Sequence, residues 1–113
     1  MTEDQQLIND EKLVDIFKAL SNATRLKILQ MLKEPEKNFP PQVHVRKGDD
    51  FSGGVCVGDI RDKIDIGQST TSQYLSLLQQ SGLLEAKRIG QWTYYRRNEE
   101  VIKQLEEFIG KNL

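Results

Sequence analysis

The sequence predicts a mainly α-helical fold with one small β-hairpin. Three observations carry this reading. Five stretches repeat apolar residues at helical spacing, two β-prone segments flank Ile89-Gly90-Gln91, and a length of 113 residues fits one domain with no room for a second. The predicted order is four helices, the hairpin and a last helix. Residues 1–113 form a single domain, with 34–54 as an insertion between the second and third helices.

Leu7, Leu13, Ile16, Phe17 and Leu20 predict a first helix from about Asn9 to Leu20. Ser21-Asn22 interrupts it. Asn22 suits the N-cap of a second helix over Ala23–Leu32, with Leu26, Leu29 and Leu32 as its buried stripe and Thr24 and Arg25 in its first turn. Pro35 closes this region. Residues 34–54 hold all three prolines and three of the eight glycines, so no continuous helix fits there. A hairpin built on Gln42–Arg46, turning at Lys47-Gly48-Asp49-Asp50, and an irregular loop are equally compatible with the residues.

In VCVGDIRDKI, Val57, Ile60 and Ile64 stand at i, i+3 and i+7 and predict a short helix. Asp65-Ile66-Gly67 follows as a tight turn, its glycine supplying the sharp angle. Gln68–Gln80 reads as a fourth helix with Thr71, Leu75 and Leu78 facing inward, and Gly82 stops it. Leu83–Arg88 and Trp92–Arg96 are the hairpin strands. Trp92, Tyr94 and Tyr95 are expected to pack the hairpin against the body. Val101, Ile102, Leu105, Phe108 and Ile109 line one face of the last helix.

Composition narrows the function classes. One cysteine, Cys56, excludes an internal disulfide and suits a reducing compartment. The acidic start MTEDQQLINDEK has no signal-peptide pattern, and no run approaches the ~20 apolar residues that span a bilayer, so a cytoplasmic protein without membrane contact is expected. Net charge is −1, yet between Ile66 and Asn98 Lys87, Arg88, Arg96 and Arg97 face Glu85 alone. A locally basic surface on a mildly acidic chain suits a partner bearing phosphates. A single His and a single Cys, without a Gly-rich phosphate loop, offer no catalytic constellation, and no cofactor is implied.

Helix, short turn, helix and β-hairpin, in that order, make a winged helix-turn-helix arrangement. The fourth helix offers Gln68, Ser69, Thr70, Ser72, Gln73 and Ser76 on its outer face, and no charge occurs from Gly67 to Leu84. Ser and Thr cost a few tenths of a kcal/mol each in a helix relative to Ala. They suit a face on which short hydroxyls approach base edges, and Gln bonds adenine in two places. Double-stranded DNA is therefore the expected partner, with Arg88 of the hairpin tip on phosphate or in the minor groove. The rival is a winged-helix adaptor that binds protein instead. A neutral, hydrogen-bonding outer face favours DNA over that rival.

The segments IDIGQSTTSQYLSLLQQSGLLEAKRIGQWTYYRRN and FKALSNATRLKILQML together resemble the ArsR/SmtB family of bacterial repressors. The resemblance implies a homodimer built from the first and last helices, with Leu13, Phe17, Val101, Leu105 and Phe108 at its interface. It also implies that Gln68, Ser69, Thr70, Ser72 and Gln73 read an inverted repeat, with Arg88 and Gln91 in the wing. Members of the family usually respond to a metal. This sequence departs from that pattern: Cys56 matches the first of two cysteines, Gly58 replaces the second, and the last helix lacks His. One thiolate is a poor site for a thiophilic ion, so no metal is expected. Three readings of the sensor stay open: a redox-responsive Cys56, for which the alternative is a buried small hydrophobe; an insertion that binds a partner or small molecule; and no effector at all.

Overall fold

The computed structural model describes residues 8–42 and 51–113. Helices α1 (Asp10–Leu20), α2 (Ala23–Met31) and α3 (Pro35–Asn38) are followed by β1 (Val55–Cys56), α4 (Val57–Ile64), α5 (Gln68–Gln80), β2 (Leu84–Ile89), β3 (Trp92–Arg97) and α6 (Glu99–Asn112). Three antiparallel strands form one sheet in the order β1-β3-β2. The core lies where α1, α2, α4 and α5 meet the start of the sheet: Ile16, Ile28, Ile60, Leu75, Leu78 and Leu83 are all fully buried.

Side-chain caps set three helix starts. Asn9, Asn22 and Asn98 accept from the backbone N–H of Lys12, Arg25 and Val101 at 2.8, 3.0 and 3.3 Å, filling donors that have no partner inside the helix. Asn22 also donates to the Tyr74 hydroxyl at 3.4 Å, tying the start of α2 to α5. Replacing Asn22 with Ala is expected to lower stability by about 0.5–2 kcal/mol. An unchanged urea midpoint would show that the cap contributes nothing.

The structure corrects several expectations. The buried stripe of α2 is Ile28, Met31 and Leu32, whereas Leu26 is 40% exposed and Leu29 half-buried. Apolar residues stand all round this helix, so their period leaves its facing open, and the side that meets the core is the one carrying Ile28 and Met31. Val55-Cys56 is a strand rather than the beginning of a helix, because it pairs with Tyr95 and Tyr94 of β3 and turns the expected hairpin into a three-stranded sheet. The insertion contains α3 and two buried aromatic residues, Phe39 and Phe51. Apart from Gln42, the alternatives placed on Gln42–Arg46 and its turn fall on 43–50, outside the described residues. Leu13, expected at a dimer interface, is already covered within its own chain at 8% exposure. Val14 and Phe17 beside it are 50% and 41% exposed, and Val101, Leu105 and Phe108 of α6 are only partly covered.

Candidate nucleic-acid interface

Two helices and a turn position the interface. α4 ends at Asp65, which takes the left-handed conformation (φ 56°, ψ 45°) and donates its N–H to the Arg61 carbonyl at 2.9 Å. The sharp change of direction therefore falls on Asp65, a residue type that tolerates this region better than most, and not on the expected glycine. Gly67 has φ −57° and serves instead as the N-cap of α5. Its carbonyl accepts from both the N–H and the hydroxyl of Thr71, at 3.0 and 2.9 Å, which anchors the first turn of α5 from inside.

α5 divides cleanly by face. Thr71, Leu75 and Leu78 are buried, while Gln68, Ser69, Ser72, Gln73 and Ser76 are exposed and Thr70 is half-buried. Its N-terminal N–H groups receive no side-chain cap, so the positive end of the helix dipole stays available. Arg25 holds the helices behind α5 together, a role the sequence reading did not assign. Its guanidinium donates to the carbonyls of Ala19 at 2.7 Å and Lys18 at 3.3 Å, closing the end of α1, and lies 5.1 Å from the Tyr74 ring centre.

The wing is β2 and β3, joined at Gly90-Gln91. Gly90 sits at φ 65°, the left-handed conformation that a two-residue hairpin tip asks of its first position. Arg88 and Gln91 are exposed, and Arg88 Nε donates to the Gly90 carbonyl at 3.3 Å, which keeps the guanidinium beside the tip. Tyr94 is fully buried, as expected of an aromatic packing the wing, but Trp92 is 39% exposed.

The basic surface is smaller than charge counting suggests. Arg96 pairs with Glu85 at 2.8 Å, donates to the Ser52 carbonyl at 3.2 Å and stacks on the Phe51 ring at 4.2 Å. The Arg97 side chain is 13% exposed and pairs with Glu99 at 2.9 Å. Lys87 and Arg88 remain as the exposed cations of the wing. Burial pushes the Tyr95 phenol up from its ordinary value, so it stays neutral.

Cys56 is buried in a cluster with Phe51 and Tyr94, and its N–H donates to Gln42 Oε1 at 2.9 Å. Gln42 Nε2 donates in turn to Asp59 at 2.9 Å and the Pro40 carbonyl at 2.7 Å. One glutamine thus fastens the insertion to β1 and α4, a link with no local sequence signal. Among the described residues no group of three or more His, Cys, Asp or Glu side chains stands ready to hold a metal ion. A lone buried thiol followed by Val57 and Gly58 is a poor site for a thiophilic ion.

No family model matches the chain. It is 50% identical over 97 residues to the HTH-type transcriptional regulator YbzH of Bacillus subtilis, spanning 85% of this chain and 93% of that relative. The crystal structure of the ArsR family transcriptional regulator RHA00566 superposes with a TM-score of 0.69 at 18% identity, covering 94% of this chain and 91% of that one. The homodimeric winged helix-turn-helix DNA-binding domain Mb0332 of Mycobacterium bovis superposes with a TM-score of 0.63 at 27% identity, covering 88% and 77%. The chain belongs to the ArsR family of winged helix-turn-helix transcriptional regulators. No helix among the described residues is long and apolar enough to cross a membrane.

Proposed function

We infer that the chain is a sequence-specific DNA-binding transcriptional regulator, a homodimeric repressor that reads an inverted repeat with α5 in the major groove and the wing alongside. The observation that carries this is the exposed face of α5, where Gln68, Ser69, Ser72 and Gln73 present hydrogen-bonding groups and no charge. Homodimerisation is supported by the incompletely covered faces of Phe17 on α1 and of Val101, Leu105 and Phe108 on α6. A two-fold dimer places its recognition helices roughly 34–36 Å apart, one turn of duplex. The reading assigns the chain no catalytic step and no cofactor.

Selection from random duplex DNA at moderate and high salt tests it. Enrichment of an inverted repeat bound with salt-sensitive affinity is the expected result. Failure to enrich any sequence would favour a winged-helix adaptor. On the selected operator, Gln73→Ala is expected to weaken binding by about 1–3 kcal/mol and relax preference at one base pair per half-site. Arg88→Ala is expected to weaken all sequences alike and to flatten the slope of log affinity against log salt by about one per half-site. An Arg88→Ala effect confined to one sequence would instead place its guanidinium on a base edge.

A further inference from the structure

α1, α2 and α5 meet at the half-buried guanidinium of Arg25, beside the exposed face of α5. Arg25 Nε donates to the Ala19 carbonyl at 2.7 Å and Nη2 to the Lys18 carbonyl at 3.3 Å, so the end of α1 holds the side chain. The guanidinium carbon lies 5.1 Å from the centre of the Tyr74 ring, inside the ~6 Å reach of a cation–π contact. Asn22 Nδ2 adds a long bond to the Tyr74 hydroxyl at 3.4 Å. Among the described residues it is the one side-chain hydrogen bond between α5 and another helix.

Tyr74 stands where α5 needs such a grip. Leu75 and Leu78 are fully buried and seat the second half of the helix in the core. The first half carries Gln68, Ser69, Ser72 and Gln73 outside and buries only Thr71, whose hydroxyl bonds back to Gly67. Apolar burial has no preferred direction, so it sets the depth of α5 more firmly than its roll. Tyr74 is half-buried and adjacent to Gln73, on the flank that faces α2. A roll of about 10° carries a side chain ~5–6 Å from the helix axis by about 1 Å. A two-point bond from Gln to a base edge is lost at that displacement, whereas long flexible cations follow the phosphates through it.

We propose that Arg25 is a specificity-determining positioning residue: held by the end of α1, it grips the Tyr74 ring and fixes the roll of α5 in the groove. The inference rests on the DNA-binding reading above and separates the residues that touch bases from one that aims them. With Nε and Nη2 committed to carbonyls, Arg25 acts from behind the helix and not on phosphate.

The test compares Arg25→Lys, Tyr74→Leu and Tyr74→Phe in the full chain, on the selected operator and on unrelated duplex of equal length. Lysine keeps the charge but loses the planar fork that reaches two carbonyls and a ring together. Arg25→Lys and Tyr74→Leu should each weaken operator binding about tenfold, with affinity for unrelated duplex held within about twofold. Tyr74→Phe keeps the ring and should stay within about threefold of the parent. Combining Arg25→Lys with Tyr74→Leu should cost little more than either alone, because both remove the same contact. Residual dipolar couplings of the α5 amides, recorded without DNA, should show α5 turned by about 10° or more against α2 in Tyr74→Leu. Should that variant fail to fold, the couplings of Arg25→Lys take its place. A lower urea midpoint with operator preference intact would make Arg25 a stability residue and overturn the proposal. Equal weakening on both duplexes, with the salt slope flattened by about one per half-site, would put Arg25 on phosphate and overturn it as well. A parent that selects no operator would refute the DNA-binding reading and with it the specificity role. The angle of α5, measured without DNA, then decides the positioning alone, and an unchanged angle refutes it.

Discussion

Glutamate in place of Ser72 is expected to reduce operator affinity by about 100-fold or more while leaving the folded protein as stable as before. Ser72 lies on the exposed face of α5, one turn from its N-terminus, in a stretch free of charge. A carboxylate there would face the phosphates and acceptor-rich base edges of the groove, and like charges brought together at an interface cost several kcal/mol. The folded state has no reason to object, since Glu is a better helix former than Ser and this side chain reaches solvent. Two controls sharpen the reading. Ser72→Ala removes one hydroxyl and should cost about tenfold or less. Raising salt does not rescue the Glu variant, because the parent itself binds more weakly as counterion release loses its drive. Parental affinity for the operator in the Glu variant, measured by anisotropy at ~0.1 M salt, would remove α5 from the groove.

The second large effect concerns folding. Leu75→Ala is expected to destabilise the protein by about 2–5 kcal/mol, a large share of the roughly 5–15 kcal/mol available to a domain. Leu75 is fully buried on the inner face of α5, within a cluster that also holds Ile16 of α1, Ile28 of α2 and Ile60 of α4. Helices from three directions cannot all collapse into the space left by its lost methyl groups, so most of the cavity persists. Urea unfolding at fixed protein concentration measures the cost, a fixed concentration being needed wherever association contributes to stability. A loss below about 1 kcal/mol would mean that α5 does not seat in this core. Paired with the Ser72 result, it separates the two faces of one helix: one change removes binding without unfolding, the other unfolds first.

Much of this architecture is legible in the chain because local rules and burial agree. Asn22 before an apolar stretch, Gly82 after Gln80, and Thr71, Leu75 and Leu78 at helical spacing each specify a cap, a stop or a facing that the structure reproduces. The outer face of α5 is legible for the same reason, since an inner stripe once placed leaves Gln68, Ser72 and Gln73 outside. Long-range pairing explains what is not legible. Nothing near Val55-Cys56 announces a strand, because its partner Tyr94-Tyr95 lies some forty residues away. Arg96 counts as an available cation in the sequence, yet Glu85 across the sheet and Phe51 from the insertion engage it. Asp65 shows a third mechanism: a neighbouring glycine draws the eye, while the left-handed residue is one that pays a modest cost to adopt it.

The position of Trp92 has a spectroscopic consequence. It is the chain's single tryptophan, it pairs with Ile89 at the outer end of the wing, and it is 39% exposed. Ultraviolet emission excited at the red edge of the indole band thus originates from one point on the molecule, and that point is the hairpin tip. Duplex DNA drawn up against the tip excludes solvent from a partly wet ring, so intensity and wavelength report wing contact with no label attached. Emission anisotropy from the same ring gives the wing's local motion before and after contact, and circular dichroism from the helices tracks the rest of the fold independently.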